Sequence, residues 1–230
     1  MNGKYRTMRV SMGLVAILSA FPAVAQAGTQ QGVLDPENAN EARLNRLQPP
    51  DQVMDAIGIE SGMTVAEIGA GRGRYIVQLA VRVGEQGKVY AEDIDGPALR
   101  YCENRCRRWG LDHVETIQGD VVDPKLPEDE IDVIFIISSY HHFADPVALL
   151  RNARSSLKAD GYIALVEWLP QENSESGFLP PDEIEAQFEE AGYRLERTDS
   201  LLEANEMMIY IFRPAGDPAV PIEQLPRLVF

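Results

Sequence analysis

The sequence predicts an α/β protein: a doubly wound three-layer sandwich with a mostly parallel sheet and an antiparallel hairpin at its C-terminal end. Apolar strand patterns alternate with amphipathic helix patterns from Met63 onward, which is typical of helices packed on both faces of a parallel sheet. The segment "IDVIFIIS", residues 131–138, is apolar almost throughout, as expected of a central strand buried on both faces. The last two strand patterns, residues 193–199 and 207–213, are separated by a short stretch, so we expect them to pair antiparallel.

The N-terminal segment, residues 1–27, has the three parts of a secretory signal peptide. A basic start, a mostly apolar run over residues 10–20 and a small-residue cleavage site at Ala25-Gln26-Ala27 follow one another. The apolar run is shorter than the about 20 residues of a membrane span, and no cysteine follows it directly, so no membrane span and no lipoprotein anchor is expected. We therefore predict a periplasmic or secreted protein, cleaved after Ala25 or Ala27; a buried N-terminal helix and a misassigned start codon are the alternatives.

The rest of the chain divides into a polar linker, residues 28–38, and one globular domain, residues 39–230. Two short helices precede the first strand, and the second begins at Pro50 and ends at Gly58, as helices commonly do. The predicted strands cover residues 63–69, 88–93, 113–118, 131–138, 161–168, 193–199 and 207–213. The predicted helices cover residues 39–47, 50–57, 73–83, 96–109, 145–157 and 181–191.

Three of these helices carry apolar residues at intervals of three and four, which indicates one buried face. The helix over residues 145–157 also begins with Asp145-Pro146, a favoured cap and first-turn pair. The residues predicted to face the core are Ile76, Leu79, Ala80, Val83, Leu149, Leu150, Ala153, Leu157, Ile184, Phe188 and Ala191.

The chain has two cysteines, and both lie in the helix predicted over residues 96–109. Leu99, Cys102, Cys106 and Trp109 follow the same spacing, which places all four on one apolar helix face. A disulfide or a metal site is the alternative in an exported protein, but a pair one helical turn apart suits disulfide geometry poorly. We therefore predict two small core residues and no metal site.

The charge balance limits the partners of the protein. The formal net charge is −15 at pH 7, and the first 27 residues contain basic residues but no acidic ones, so the exported chain would be more negative still. A surface of this sign repels phosphate backbones. Nucleic acid is therefore not expected as a substrate or partner.

A glycine-rich turn follows the first strand in the string Glu67-x-Gly69-x-Gly71-x-Gly73. In a doubly wound sheet the ligand lies beyond the carboxyl ends of the strands, and glycines allow positive φ angles and close approach of a ligand to the backbone. The dinucleotide fingerprint requires a third glycine where this chain has Arg74. The acid of the string also faces a cationic ligand group better than a pyrophosphate.

The string resembles the first motif of the class I S-adenosylmethionine-dependent methyltransferases, and the resemblance extends over roughly residues 40–213. "GKVYAEDID" resembles their second strand with its terminal acid, "IQGD" their adenine-binding loop and "LKADGYIALVEW" their fifth strand. The chain is most similar to exported bacterial methyltransferases of undefined substrate that carry a "YHHF" segment after the fourth strand. The resemblance implies the Rossmann-like methyltransferase fold with seven strands, and S-adenosylmethionine as cofactor.

The resemblance also implies roles for single residues. Glu67 would lie near the ammonium group of the cofactor, and Asp93 would accept hydrogen bonds from the ribose hydroxyls, with Glu92 as the alternative one residue away. Asp120 would accept from the adenine amino group, and Arg72 and Arg74 would either face solvent or bind the cofactor carboxylate. The complete set of predicted cofactor-binding residues is Glu67, Gly69, Ala70, Gly71, Gly73, Asp93, Ile94, Asp120, Val121 and Ser138.

The candidates for catalysis lie in "SSYHHF", residues 138–143. Methyl transfer needs a base only if the attacking atom must lose a proton, and histidine titrates near neutral pH. His142 is slightly preferred over His141 as that base, with capping of the loop as the alternative role for either. Tyr140 could orient or stack on a substrate, and His113 is expected to be structural. Neither the Asn-Pro-Pro-Tyr signature of many amino-group methyltransferases nor a cysteine set suited to arsenite is present.

Three functions follow from the sequence. The first is a methyltransferase acting on a small-molecule or protein acceptor. The second is a non-catalytic protein that binds S-adenosylmethionine or S-adenosylhomocysteine on the same fold, which the export signal favours because the methyl donor is made in the cytoplasm. The third, an NAD-linked oxidoreductase, is disfavoured by Arg74 in the glycine turn.

Overall fold

The computed structural model describes residues 39–171 and 177–216. The predicted signal peptide and linker, residues 1–38, lie outside the described residues. The strands are β1 (Thr64–Ile68), β2 (Lys88–Asp93), β3 (Val114–Gln118), β4 (Ile131–Ile137), β5 (Leu157–Trp168), β6 (Tyr193–Asp199) and β7 (Met207–Pro214). The helices are α1 (Ala39–Leu47), α2 (Pro50–Ile57), α3 (Ile76–Val83), α4 (Gly96–Arg108), α5 (Pro146–Ala153) and α6 (Pro181–Glu190).

All the described strands form one seven-stranded sheet in the order β3-β2-β1-β4-β5-β7-β6. Strands β1 to β5 are parallel, and β7 lies antiparallel between β5 and β6. The chain runs outward from β1 to β3 and then returns to start again at β4, so the topological switch point lies between β1 and β4. The predicted doubly wound fold with its antiparallel C-terminal strands is confirmed.

Strand β4 separates two apolar layers, as its continuous apolar sequence predicts. Phe135 packs in the layer beneath α2, α3 and α4, whereas Ile134 packs in the layer beneath α5 and α6. Alternate residues of a strand point to opposite faces, and helices on both sides of the sheet keep both sets out of water. In the described ranges, no helix is long and apolar enough to cross a membrane.

Helix α5 is shorter than predicted. It ends at Ala153, a 3₁₀ turn covers Arg154–Ser156, and Leu157 is the first residue of β5 rather than the last of the helix. Serine has a modest helix propensity, and the Ser156 hydroxyl instead donates to the Leu126 carbonyl at 3.2 Å. Leu157 is buried as the first residue of β5. Its apolar side chain also fits the helical spacing, so the apolar pattern could not distinguish a helix from a strand at this position.

Four residues were predicted to share one apolar face of α4, and the prediction is confirmed for three of them. Cys102 and Cys106 are buried and free, and Leu99 is buried beside them. The prediction was wrong for Trp109, which is 46% exposed. Helix α4 ends at Arg108, and Trp109 has left the helical conformation with φ −98° and ψ 3°, so its side chain no longer continues the apolar face.

Candidate functional site

The turn after β1 is built from glycines that no other residue replaces easily. Gly69, Gly71 and Gly73 have φ angles of 81°, 54° and 79°, which residues with a Cβ rarely adopt. A Cβ on Gly69 would lie 2.6 Å from the Ser139 side chain, and one on Gly73 would lie 2.5 Å from Cys102 Sγ. A Cβ on Gly71 would meet nothing within 4 Å. The turn therefore packs tightly at both ends and is open in its middle.

A cavity of about 390 Å³ opens beside this turn, over the carboxyl ends of β1, β2, β3 and β4. Its size is in the range of small-molecule sites, and its place is the one that the strand order predicts for a ligand. The predicted site residues that line it are Gly69, Asp93, Ile94, Asp120, Val121, Ser138 and His142. Ser139 and Phe143 also line the cavity. Both belong to the segment after β4, residues 138–143, but neither was predicted to bind a ligand.

The two acids at the end of β2 have different environments. Asp93 is partly exposed, and its carboxylate accepts the Gly71 N–H at 2.7 Å and the Asp95 N–H at 2.8 Å. Glu92 is only 2% exposed, and burial, followed by the charge of Asp93, raises its pKa to about 8. Both residues line the cavity and both are contacted by backbone N–H groups, but Asp93 is the more exposed acceptor of the two.

The far end of the cavity presents apolar side chains to solvent. Ile94 is 57% exposed and Val121 is 48% exposed, and both line the cavity. Exposed apolar side chains in a concave site are ones that a ligand can cover. The Asp120 carboxylate lies at the same end, where it pairs with Lys125 Nζ at 2.9 Å. Surface pairs of this kind are weak, so this carboxylate can exchange partners at low cost.

The carboxyl group of Glu67 is a second acid beside the turn with a raised pKa, as that of Glu92 is. The side chain is buried, and burial raises its pKa to about 8 even though the nearby Arg74 charge opposes the shift. Its Oε2 has no hydrogen-bond partner within the described ranges. A buried polar atom without a partner is rare and costly. Glu67 itself is not among the residues that line the cavity, whereas Ile68 and Gly69, which follow it, are.

Arg74 faces inward toward α1, so it does not take the solvent-facing alternative that the sequence left open, and binding of a cofactor carboxylate stays a prediction. It donates to Asn45 Oδ1 at 3.0 Å and to Gln48 Oε1 at 2.5 Å, and burial lowers its pKa. Asn45 Nδ2 is a second buried atom without a partner in the described part of the chain. Arg72, in contrast, is exposed and lies over the Tyr101 ring at 3.8 Å.

Gln48 links the N-terminal helices to the end of β4. Its side-chain Nε2 donates to Ser138 Oγ at 2.6 Å, and its main-chain carbonyl oxygen accepts the Tyr75 hydroxyl at 2.9 Å. Ser138 has a φ angle of 51°, a strained conformation for a residue other than glycine that is common in functional sites. No sequence pattern indicated Gln48, because its contacts depend on how α1 packs over the turn.

Helix α1 is held there by an ion pair that is almost fully buried. Arg105 of α4 donates to both carboxylate oxygens of Glu41, at 3.1 Å and 2.5 Å. A two-pronged arginine–carboxylate pair fixes orientation as well as distance. The ion pair therefore holds α1 against α4 as a wall beside the glycine turn, and no described residue of α1 is among those that line the cavity.

The prediction for Tyr140 was wrong, because its side chain points into the core. It is 1% exposed, its hydroxyl donates to Gln187 Oε1 at 2.8 Å, and its ring stacks on Phe188. It therefore cannot contact a substrate in this arrangement. His113 is structural as expected, with its Nε2 2.9 Å from the Ala80 carbonyl oxygen.

The two adjacent histidines have different surroundings. His142 lines the cavity. His141 Nδ1 lies 3.0 Å from Glu167 Oε2, so the ring has a buried carboxylate behind it. The ring centroids of the two histidines are 4.0 Å apart. Of the two predicted histidines, only His142 lines the cavity, and His141 lies behind it against Glu167. Glu167 was not predicted as a site residue.

Comparison with known proteins gives one family and several relatives. Residues 59–201, more than half of the chain, match the family described as "Methyltransferase domain". The chain is similar to nocamycin O-methyltransferase of Saccharothrix syringae, with 29% identity over 56% of this chain and 46% of that protein. It is also similar to the ubiquinone/menaquinone biosynthesis C-methyltransferase of Idiomarina loihiensis, with 28% identity over 50% of this chain and 46% of that protein. The chain thus spans about half the length of these curated relatives.

A solved structure extends the comparison to the fold. A methyltransferase of Aquifex aeolicus described as S-adenosylmethionine-dependent has a TM-score of 0.67 and 26% identity, covering 75% of this chain and 96% of that one. The match covers nearly the whole of that protein, so the sheet and its helices are shared.

Proposed function

Because the chain belongs to the methyltransferase-domain family, we propose that it transfers a methyl group from S-adenosylmethionine to a small-molecule or protein acceptor. The observation that carries the proposal is the Glu67 carboxyl group, buried at the end of β1 with Oε2 lacking a partner in the described part of the chain. A ligand with an ammonium group supplies the donor that this atom lacks. Few other cofactors carry an ammonium group together with a ribose and a flat base.

The residues around the cavity fit the other parts of that cofactor in spatial order. Asp120 and Val121 follow β3 and would hold the adenine together with Ile94, Asp93 at the end of β2 would accept from the ribose hydroxyls, and Glu67 at the end of β1 would hold the ammonium group. The cofactor supplies an activated methyl group on a sulfonium sulfur, so the protein needs to align the acceptor and exclude water. The open face of Gly71 leaves room for a ligand against the backbone.

The carboxylate end of the cofactor would meet the wall formed by α1. Arg74 carries the positive charge there, and Asn45 Nδ2 is a buried donor without a described partner. A carboxylate accepting from both would complete the pairing that the structure leaves open. Binding of the ammonium group would favour the ionised form of Glu67 and lower its pKa.

The export of the protein is part of the proposal. It is supported by the basic, apolar and small-residue parts of residues 1–27. Mass spectrometry of the protein from its native host tests it: a mature N-terminus after Ala25 or Ala27 is expected, and an intact N-terminus in the cytoplasmic fraction would contradict it.

Calorimetric titration of the purified protein with S-adenosylmethionine, S-adenosylhomocysteine and NAD tests the cofactor. Micromolar binding of the first two, without binding of NAD, is expected. Accumulation of S-adenosylhomocysteine with an acceptor mixture then separates an enzyme from a protein that only binds the cofactor. Absence of binding to either adenosyl compound in a folded sample would remove the proposed function.

A further inference from the structure

His141 and Glu167 form a hydrogen-bonded pair that the cofactor site does not use. His141 Nδ1 lies 3.0 Å from Glu167 Oε2, and the two side chains are 11% and 1% exposed. The carboxylate is itself held, because Glu167 Oε1 accepts the Trp168 N–H at 2.8 Å. A carboxylate at this distance from Nδ1 favours the tautomer that carries the proton on Nδ1 and keeps a lone pair on Nε2.

The pair lies next to the β4 side of the cavity, although neither His141 nor Glu167 is among the residues that line it. The adenine, ribose and ammonium contacts follow the order β3, β2 and β1, and the next strand in the sheet is β4. His141 lies in the 3₁₀ turn directly after β4, and Glu167 lies near the end of β5. His142, whose ring centroid is 4.0 Å from that of His141, lines the cavity.

An aromatic wall borders the same place. The Phe178 ring meets His141 edge-on, with centroids 4.9 Å apart, and stacks on Trp168 at 5.9 Å. Both aromatic side chains are only partly buried. A half-exposed stack of flat rings is a surface on which another flat ring can pack.

We propose that His141 is the general base for the methyl transfer, that Glu167 is its positioning residue, and that the acceptor is a hydroxyl group on a planar aromatic ring. The inference rests on the proposed function. A hydroxyl oxygen is a weak nucleophile until it loses its proton, whereas an amine attacks through a lone pair that it already has. A histidine oriented by a carboxylate is therefore of most use to a hydroxyl acceptor.

In the proposed transfer, every bond that forms or breaks involves the acceptor, the cofactor or His141. The acceptor oxygen forms the new bond to the methyl carbon, and its proton passes to Nε2 of His141. The electron pair of the broken carbon–sulfur bond stays on sulfur, which leaves as a neutral thioether. Glu167 stabilises the imidazolium that results, and the proton is released to water after the product leaves.

The test compares phenol and catechol with aniline and thiophenol as acceptors for the purified protein, followed by release of S-adenosylhomocysteine. Methylation of the two hydroxyl compounds is expected, with kcat lowered about 100-fold in His141→Gln and Glu167→Gln and with little change in KM for catechol. His113→Gln is the matched control, since His113 contacts the Ala80 carbonyl away from the cavity.

A second readout does not depend on turnover. The chain has three histidines, so NMR correlation of ring nitrogens and protons resolves each one. His141 is expected as the Nδ1–H tautomer, and Glu167→Ala, which removes the acceptor, is expected to abolish this preference without affecting His113. An unchanged tautomer in Glu167→Ala would refute the positioning role.

The outcomes separate this inference from the proposed function. Failure of the wild-type protein to bind S-adenosylhomocysteine overturns both. If the wild-type protein binds S-adenosylhomocysteine normally, any one of three results overturns the inference alone. These are preferred methylation of aniline or thiophenol, full kcat in His141→Gln, and no methylation of any hydroxyl compound.

Discussion

The buried carboxyl group of Glu67 makes the stability of the unliganded protein depend on pH. Burial raises its pKa from 4.5 to about 8 in the folded protein, whereas the unfolded chain has the ordinary value. The folded state therefore holds the proton over a pH range in which the unfolded state has released it. The stabilisation from this proton is complete below the unfolded pKa and is lost as the pH rises through the folded one.

The size of the effect follows from the shift. Each unit of pKa difference corresponds to about 1.4 kcal/mol, so Glu67 lowers the free energy of unfolding by at most about 1.4 kcal/mol per pH unit between about pH 5 and pH 8. Glu92 adds a slope of the same sign, because its pKa is also raised to about 8. We expect Glu67→Gln to remove the Glu67 share of the slope and to leave that of Glu92.

Urea denaturation followed by circular dichroism at several pH values measures this slope. Glu115→Gln is the control, since it removes one carboxylate from the surface, where Glu115 pairs with Lys88. Saturating S-adenosylhomocysteine should flatten the wild-type slope, because an ammonium group beside Glu67 favours its ionised form. If Glu67→Gln kept the full wild-type slope, the pKa of Glu67 would not be raised in the folded protein, and the reasoning from its burial would be refuted.

Three further predictions follow from the site. Asp93→Asn should weaken binding of S-adenosylhomocysteine by about 10- to 150-fold in calorimetry, because a charge-assisted acceptor is lost; unchanged affinity would show that another acid holds the ribose. Gly69→Ala should lower the free energy of unfolding more than Gly71→Ala. Both positions have a positive φ angle, which costs an alanine about 1 kcal/mol or more, but only a Cβ on Gly69 would also clash with Ser139, at 2.6 Å. Equal losses would contradict this packing. Tyr140→Phe should cost about 1 kcal/mol of stability and leave kcat unchanged, whereas a large fall in kcat would return Tyr140 to the catalytic candidates.

The sequence predicted an element correctly wherever its residue pattern is compatible with only one local structure. The strand bounds of β2 and β6 and the αL end of α2 at Gly58 match the prediction residue by residue. The glycine spacing also placed the turn correctly, because positive φ angles are a local property that the residue type itself permits. These features need no knowledge of which elements meet in space.

The sequence was insufficient wherever the answer depended on two distant segments meeting. Leu157 is buried as a strand residue as well as it would be as a helix residue, so burial could not decide between them. Tyr140 belongs to the core because α6 supplies Gln187 for its hydroxyl, and nothing near Tyr140 in the chain indicates this. Glu167 pairs with His141 across 26 residues of sequence, and a single acid in a strand has no pattern of its own.

The order of strands explains why these scattered residues form one site. Ligand contacts placed at the carboxyl ends of neighbouring parallel strands are spaced by the distance between strands, about 4.8 Å, which suits a long, narrow ligand lying across the sheet edge. Under the proposed function, the order β3-β2-β1-β4-β5 would act as a sequence of subsites: flat base, ribose, ammonium group and then the acceptor. The switch point between β1 and β4 would separate the residues that hold the donor from those that receive the proton of the acceptor. A base after β2 or β3 would meet the wrong end of the cofactor, whereas His141 follows β4 and Glu167 lies near the end of β5.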